Sequence, residues 1–238
     1  MVNLFTAEIL SIQKHTDRLR SFEISIPKEI NWDFLPGQYV DLALTDQPNK
    51  FSGFSLTSTP DQKSKFSITV QKTLEINASH KIFDLKTGDK VNIRGPAGTF
   101  ILDVASEHEI VLIAGGIGVT PLISMFRTAN ANPLIKQAIL FHSAKKSSEL
   151  IFHDELKKIA NFKPKLVYYE AVTQDQNWSG KRTRFTVQEI VKTIDSKRIN
   201  EFHFFICGPG SMNVDFKNGL LSKGINPNNI HIESYYEP

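Results

Sequence analysis

The chain has 238 residues, which is enough for two domains of about 100–150 residues each. Hydrophobic residues make up 40% of it and charged residues 22%, as is typical of a globular protein with a sizeable core. The net charge of +3 at pH 7 permits an anionic partner but does not argue for nucleic acid.

Cysteine and histidine usage excludes several kinds of site. The single cysteine, Cys207, excludes an internal disulfide, a cysteine-ligated iron–sulfur cluster and a four-cysteine zinc site. The seven histidines show no ligand pairing such as HExxH, so no metal is expected. No apolar run approaches the ~20 residues that span a bilayer, and the first residues lack the pattern of a secretion signal. We therefore expect a cytoplasmic protein with no membrane span and no nucleic-acid partner.

Residues 1–105 are predicted to be rich in short strands. Turn residues such as Pro36-Gly37 and Gly88-Asp89 separate the apolar runs, and alternation is clearest in FEISI and FSITV. The predicted strands cover 5–12, 19–26, 38–45, 51–58, 66–72 and 90–94, with one helix over 78–85. Several short strands at this spacing indicate a small antiparallel β-barrel.

After Asp103 the pattern changes to alternating strands and helices. The predicted strands are 110–114, 137–142, 165–171, 202–207 and 230–233, and the helices are 120–129, 148–160, 186–194 and 211–222. This alternation predicts an α/β doubly wound, five-stranded parallel sheet. The expected domains are therefore 1–105 and 106–238.

The stretch IVLIAGGIGVTPLISM, residues 110–125, has the order strand, glycine loop, helix. An α/β sheet can hold a phosphate in this way, because the helix start offers unpaired N–H groups and the positive end of its dipole. Pro121 suits the first helical turn, where a missing N–H costs little. The alternative is a tight turn without a ligand, since the spacing is GxGxxP rather than the full dinucleotide fingerprint.

Five stretches in order resemble the ferredoxin–NADP reductase-like flavoproteins, in which a flavin-binding barrel precedes a nicotinamide-nucleotide domain. They are PGQYVDL (36–42), GFSLTSTP (53–60), GDKVNIRGPAGTF (88–100), AGGIGVTP (114–121) and CGPGSM (207–212). The ending IESYYEP (232–238) resembles the acidic-aromatic ending of the family. The resemblance covers nearly the whole chain.

The resemblance implies a flavin site on the barrel. Phe54 would stack on the flavin ring, and Ser55 would place its hydroxyl near flavin N5. Ser52 stands where the family has an arginine that pairs with the flavin phosphate, and Lys72 is a candidate to replace that charge. The implied flavin-binding residues are Ser52, Phe54, Ser55, Leu56, Thr57, Val70, Lys72, Asn77, Ala78, Ser79, Thr120 and Tyr235. The family's glycines before Ser79 are absent, so FAD, FMN and a loosely held flavin all remain open.

The resemblance also implies a nicotinamide-nucleotide site in the second domain. Cys207 and Glu233 would lie beside the nicotinamide, and together with Ser55 they are the expected catalytic residues. The implied NAD(P)-binding residues are Gly115, Gly116, Gly118, Thr120, Pro121, Ser143, Lys145, Lys146, Arg182, Arg184, Cys207, Gly208, Pro209 and Met212. Because the second strand of this domain ends without an acidic residue and the loops carry cations, NADPH is slightly favoured over NADH as hydride donor.

The resemblance therefore implies a flavin-dependent NAD(P)H oxidoreductase that passes electrons from bound FAD to ferredoxin, flavodoxin, an oxygenase component or a small-molecule acceptor. Two alternatives stay open. The chain could reduce free flavin, or it could be an electron-transfer subunit of a larger oxygenase or reductase complex. The departures from the family's flavin motif are what keep these alternatives open.

Overall fold

The computed structural model describes residues 3–72, 78–194 and 197–234, with the backbone alone for 78–79. Its contacts divide the chain into two compact units. The first unit is Met1–Asp103 with Ile123–Thr128, and the second is Val104–Leu122 with Ala129–Pro238.

The first unit is a six-stranded antiparallel sheet that closes almost completely into a barrel. Its elements are β1 (Asn3–Lys14), β2 (Leu19–Ser25), β3 (Tyr39–Leu44), β4 (Ser52–Ser55), β5 (Lys65–Gln71), α1 (Ala78–Phe83) and β6 (Lys90–Ala97). The spatial order is β4-β3-β6-β1-β2-β5, so β4 and β5 are the two ends of the sheet. A single bridge between Leu56 and Ile68 joins these ends. The predicted antiparallel barrel is confirmed.

Alternating apolar residues fill the interior of the barrel. On β1, Phe5, Ala7 and Ile9 are buried while the residues between them are exposed, which is the period-two pattern of a strand with one face on the core. The segment between β2 and β3 adds Trp32, whose ring stacks on Phe66 with the ring centroids 4.9 Å apart. The core therefore fixes the strand register, because a shift by one residue would expose these side chains.

The second unit is a five-stranded parallel sheet flanked by helices. Its elements are β7 (His108–Gly115), a 3₁₀ turn (Gly116–Gly118), the two ends of α2 (Val119–Ala131), β8 (Ile135–Ala144), α3 (His153–Phe162), β9 (Leu166–Val172), α4 (Val187–Lys192), β10 (Phe202–Cys207), α5 (Gly210–Ser222) and β11 (Ile230–Glu233). The middle of α2, Ile123–Thr128, belongs to the first unit. The spatial order is β11-β10-β7-β8-β9. The predicted doubly wound parallel sheet is confirmed, and its strand order reverses direction between β7 and β10.

Two of the predicted elements are interrupted by breaks that the sequence analysis did not predict. The helix predicted over 148–160 is wrong at its start: Ser147–Glu149 forms a separate 3₁₀ turn, and Phe152, with φ of 65°, breaks the chain before α3 begins. The strand predicted over 51–58 is shorter, because β4 ends at Ser55 and the next residue crosses to pair with β5. The apolar periodicity does not reveal either break, because Leu56 and Phe152 are apolar residues and continue the pattern across them.

Candidate cofactor sites

The strand β4 carries the residues predicted to contact the flavin. In its pairing with β3, Val40 lies opposite Phe54 and Tyr39 lies opposite Ser55. Phe54 is half-buried and packs against the barrel core, whereas Ser55 is only 7% exposed. The end strand β4 thus carries an aromatic ring next to a hydroxyl. The ring of Phe54 is of the kind that stacks on a flat ligand, and the hydroxyl of Ser55 is of the kind that hydrogen-bonds to an atom at the edge of such a ligand.

The seam between β4 and β5 holds a buried polar atom without a partner. Leu56 is fully buried in the bridge to β5, and the Thr57 backbone N–H donates to the Ser67 carbonyl at 2.8 Å. The Thr57 hydroxyl is buried and has no hydrogen-bond partner among the described residues. Val70, also fully buried, lies on β5. Because buried hydroxyls are nearly always hydrogen-bonded, the seam is suited to a ligand that completes this bond.

Two side chains of α2 hold the segment that follows β4. The Ser124 hydroxyl, fully buried, donates to the Ser58 carbonyl at 2.7 Å, and the Arg127 guanidinium donates to the Thr57 carbonyl. All four residues belong to the first unit. These bonds could not be predicted from the sequence, because the partners are 66 and 70 residues apart.

The cation predicted at the second flavin-phosphate position is engaged elsewhere. The Lys72 ammonium lies 3.3 Å from the Asp84 carboxylate and 5.3 Å from the centre of the Phe83 ring. An exposed pair of this kind contributes little to stability, so a phosphate could compete for the lysine. Asn77 lies outside the described residues, and Ala78 and Ser79 form the start of α1 as backbone only.

The loops after β7 and β10 pack backbone against backbone. A Cβ atom on Gly118 would lie 2.1 Å from the Cys207 carbonyl oxygen, and one on Gly115 would lie 2.7 Å from the Met212 sulfur. A Cβ on Gly208 would lie 2.4 Å from the Met212 methyl group. Gly118 is therefore needed for the contact between the two loops, because its neighbours are backbone atoms, whereas the end of the Met212 side chain beside Gly115 and Gly208 is flexible. The contact lies at the point where the strand order reverses and α/β sheets bind ligands.

Gly116 differs from the other loop glycines. Its φ is +55°, a conformation that favours glycine, and a Cβ there would meet nothing within 4 Å. The Thr120 hydroxyl donates to the Ile117 carbonyl at 3.0 Å, and Pro121 lies in the first turn of α2. The start of a 13-residue helix thus adjoins an open glycine, an arrangement suited to an anion such as a pyrophosphate.

The catalytic candidates of the second unit are direct neighbours. Cys207 and Glu233 end two adjacent parallel strands and face each other in the register. Cys207 is fully buried, and burial raises the pKa of the half-buried Glu233 carboxyl. Asn213, not identified from the sequence, donates its amide to the Glu233 carbonyl at 2.9 Å. Tyr235 lies outside the described residues.

The predicted coenzyme-selecting cations lie on exposed loops. Ser143 pairs with Gly115 in the sheet, and the Gln174 N–H donates to the Lys145 carbonyl at 2.8 Å, so the loops after β8 and β9 meet. Arg182 donates to the backbone carbonyl of Asp175 at 3.3 Å. The other two predicted cations, Lys146 and Arg184, are exposed.

Asp175 is a carboxylate that the sequence analysis missed. Its side chain accepts from the Ser147 hydroxyl at 2.6 Å and from the Ser147 and Asn177 N–H groups. These bonds, the Ser147 hydroxyl above all, lower the pKa of Asp175. The Asp175 carboxylate therefore occupies the hydrogen-bond donors of Ser147 and Asn177, which a bound phosphate could otherwise use.

Comparison with known proteins identifies the family. The model of the oxidoreductase FAD-binding domain matches residues 6–101, and that of the oxidoreductase NAD-binding domain matches residues 112–218. The chain belongs to the ferredoxin–NADP reductase-like flavoproteins. Both units of this reductase-like flavoprotein are thus accounted for, one by each domain type.

Two curated relatives extend over most of this flavoprotein chain. The flavohemoprotein of Bacillus subtilis is 27% identical over 212 residues, which are 85% of this chain and 52% of the relative. The glycine betaine monooxygenase reductase subunit of Chromohalobacter salexigens is 28% identical over 236 residues, which are 95% of this chain and 62% of the relative. The chain thus spans between half and two thirds of the length of these relatives.

A solved structure shows the same fold as this reductase-like flavoprotein. The ferredoxin NADP⁺ reductase of Neisseria gonorrhoeae, with bound FAD and NADP, superposes with a TM-score of 0.81 at 21% identity. The match covers 98% of this chain and 99% of that one. In this flavoprotein the orphaned Thr57 hydroxyl at the β4–β5 seam fits a bound flavin, and the open Gly116 fits a dinucleotide.

The described part of the chain contains neither a membrane-spanning helix nor a cluster of metal ligands. No helix in the described part of this flavoprotein is long and apolar enough to cross a lipid bilayer. Within the same part of the chain, no group of three or more histidine, cysteine, aspartate or glutamate side chains is placed to hold a metal ion.

Proposed function

We propose that this chain transfers a hydride from NADPH or NADH to bound FAD and passes the electrons on to a redox partner protein. The observation that supports this most strongly is the combination of the two domain types with a glycine loop at the reversal point of the parallel sheet. When bound, the two cofactors supply the hydride chemistry itself. The protein binds them, orients them and excludes water.

The proposed flavin residues lie on the first unit. Phe54 stacks on the flavin ring, and Leu56 and Val70 line the seam beneath it. The Ser55 hydroxyl hydrogen-bonds at flavin N5, and the Thr57 hydroxyl gains the partner that it lacks in the protein alone. Ser52, Lys72 and the start of α1 then face the phosphate end, with FMN as the alternative flavin.

The proposed nucleotide residues lie on the second unit. The N–H groups around Gly116 and the start of α2 bind the pyrophosphate. Glu233 and Cys207 contact the nicotinamide, where the raised pKa of the Glu233 carboxyl lets it hold a proton more readily than an exposed glutamate. Hydride transfer requires no nucleophile, so Cys207 contributes shape rather than reactivity.

The Ser55→Ala variant tests the flavin assignment. We expect reduction of the flavin by NAD(P)H to slow by about tenfold to a hundredfold, while flavin affinity changes by less than about threefold, because the hydroxyl acts at the reacting atom. Stopped-flow absorbance measures the first quantity and flavin titration the second. Ser11→Ala, on the non-adjacent strand β1, is the control. An unchanged reduction rate in Ser55→Ala would remove Ser55 from the mechanism.

Coenzyme preference depends on the charges of the two exposed loops. We propose that Lys145 and Arg182 pair with the 2′-phosphate of NADPH and that Asp175 opposes this phosphate. Arg182→Ala should lower kcat/KM for NADPH about tenfold and leave NADH nearly unchanged, whereas Asp175→Asn should raise the NADPH:NADH ratio severalfold. Steady-state kinetics with both coenzymes measure the ratio. Lys158→Ala on α3 is the control, and equal effects on both coenzymes would contradict the assignment.

The electron acceptor is proposed by class only. A reductase subunit of a monooxygenase is among the relatives, which supports an oxygenase component as partner. Ferredoxin and flavodoxin are the other proposed protein acceptors. Reduction of free flavin or of another small molecule is the alternative. We place this activity in the cytoplasm, in line with a chain that has one cysteine.

A further inference from the structure

His142 is a buried histidine bonded to the glycine loop. It lies on β8 opposite Ala114 of β7 and is completely inaccessible to solvent. Its Nε2 atom is 3.2 Å from the carbonyl oxygen of Gly116. Because a carbonyl can only accept, Nε2 must carry the hydrogen.

The other ring nitrogen defines the protonation state. Nδ1 is buried and has no hydrogen-bond partner among the described residues, so it is the bare nitrogen of a neutral ring. The pKa of His142 is lowered to about 4, mainly by burial and to a lesser extent by the positive charge of His153, while the bond to Gly116 acts in the opposite direction. The ring is therefore a neutral hydrogen-bond donor throughout the working pH range.

Packing alone does not account for a histidine at this position. A buried ring nitrogen without a partner costs free energy that an apolar side chain of similar size would not cost. Among the residues that the structure describes, the one hydrogen bond of the ring is to the loop. The bond to Gly116 is thus the only described interaction that offsets this cost.

The bond fixes the orientation of one peptide plane. The Gly116 carbonyl accepts from His142 and also from the backbone N–H of Val119. In a trans peptide the N–H points opposite to the carbonyl, so the N–H of Ile117 is directed away from β8. Gly116 itself has a positive φ, a backbone conformation that few residues other than glycine adopt.

We propose that His142 is a positioning residue, which holds the Gly116–Ile117 peptide so that its N–H faces the pyrophosphate of bound NAD(P)H. This inference rests on the proposed function. His142 touches neither the coenzyme nor the reacting atoms. Its contribution is to preorganise the loop before the coenzyme arrives, which reduces the ordering cost of binding.

Two amide variants separate this role from a structural one. In His142→Gln the side-chain amide can reach the position of Nε2 and donate to Gly116, whereas in His142→Asn it reaches only the position of Nδ1. We expect His142→Asn to weaken NAD⁺ and NADP⁺ binding about five- to tenfold and to raise KM without lowering kcat. We expect His142→Gln to stay within about threefold of the unmodified protein. Isothermal titration of the FAD-loaded protein measures the dissociation constants, and His153→Asn, which alters a half-buried histidine whose Nδ1 atom also has no partner among the described residues, is the control.

The outcomes are distinguishable. The positioning role would be overturned if the asparagine and glutamine variants bound the coenzymes equally tightly. This holds whether both keep the affinity of the unmodified protein or both lose the same amount of affinity at equal melting temperatures. If His142→Asn does not fold, a loss of affinity greater than tenfold in a folded His142→Gln protein would overturn it as well, and retained affinity would support it. An unmodified protein that binds neither NAD⁺ nor NADP⁺ would instead overturn the proposed function, and this inference with it.

Discussion

Replacing Gly118 by alanine is expected to abolish measurable NAD(P)H binding and to lower the free energy of unfolding by about 3 kcal/mol. The new Cβ would lie 2.1 Å from the carbonyl oxygen and 2.5 Å from the carbonyl carbon of Cys207. These are backbone atoms at the end of a central strand and cannot rotate away, so the two loops must separate. Coenzyme titration and urea unfolding measure the two effects.

Gly210→Ala is the matched control for this variant. Gly210 opens α5 just after β10, the strand whose end Gly118 contacts, but a Cβ there would meet nothing within 4 Å and its φ is not positive. Alanine should therefore leave stability unchanged or raise it by up to about 1 kcal/mol. A Gly118→Ala protein with the stability and coenzyme affinity of the unmodified protein would contradict the described loop contact.

Acid should destabilise the protein through His142, which is fully buried. The folded-state pKa of about 4 lies below the ordinary 6.5, so the unfolded chain takes up a proton first as the pH falls. Stability from this group is thus fully present above pH 6.5 and is lost towards pH 4, by about 2–3 kcal/mol between pH 7.5 and 4.5. Burial also lowers the pKa values of His203 and His231, which adds loss in the same direction.

The His142→Gln variant isolates this contribution, because glutamine does not titrate. Urea unfolding at pH 7.5 and pH 4.5 should show a smaller decrease in unfolding free energy for the variant than for the unmodified protein, by about 2–3 kcal/mol. The carboxylates whose pKa is lowered, such as Asp175, act equally in both proteins and cancel. An identical pH dependence in the two proteins would show that His142 is not held neutral.

The fold could be predicted from the sequence because its signals are local. Alternation along β1 and β5 indicates strands with one buried face, and the change after Asp103 to strand–helix repeats indicates a parallel sheet. The glycine loop also follows from local order. The different roles of the loop glycines could not be predicted from the sequence: Gly118 permits contact between two loops, whereas Gly116 has open space beside it.

The site residues that the sequence analysis missed act through contacts distant in the chain. Asp175 reaches Ser147 across 28 residues, and His142 reaches Gly116 across 26. Each is an unremarkable polar residue in its own segment, and only the pairing of the strands brings it to the loop it contacts. Such contacts carry no periodic signal, so single-sequence patterns do not reveal them.

The most direct test of the proposed function is anaerobic mixing of the FAD-loaded protein with NADPH or NADH in a stopped-flow spectrometer. The account predicts that the visible absorbance of the flavin bleaches in a single turnover, and that deuterium at the transferred C4 position of the coenzyme slows this step. Bleaching shows that two electrons reach the flavin, and the isotope effect shows that they travel with the C4 hydrogen. Retention of the oxidised flavin spectrum at saturating concentrations of both coenzymes would contradict the account.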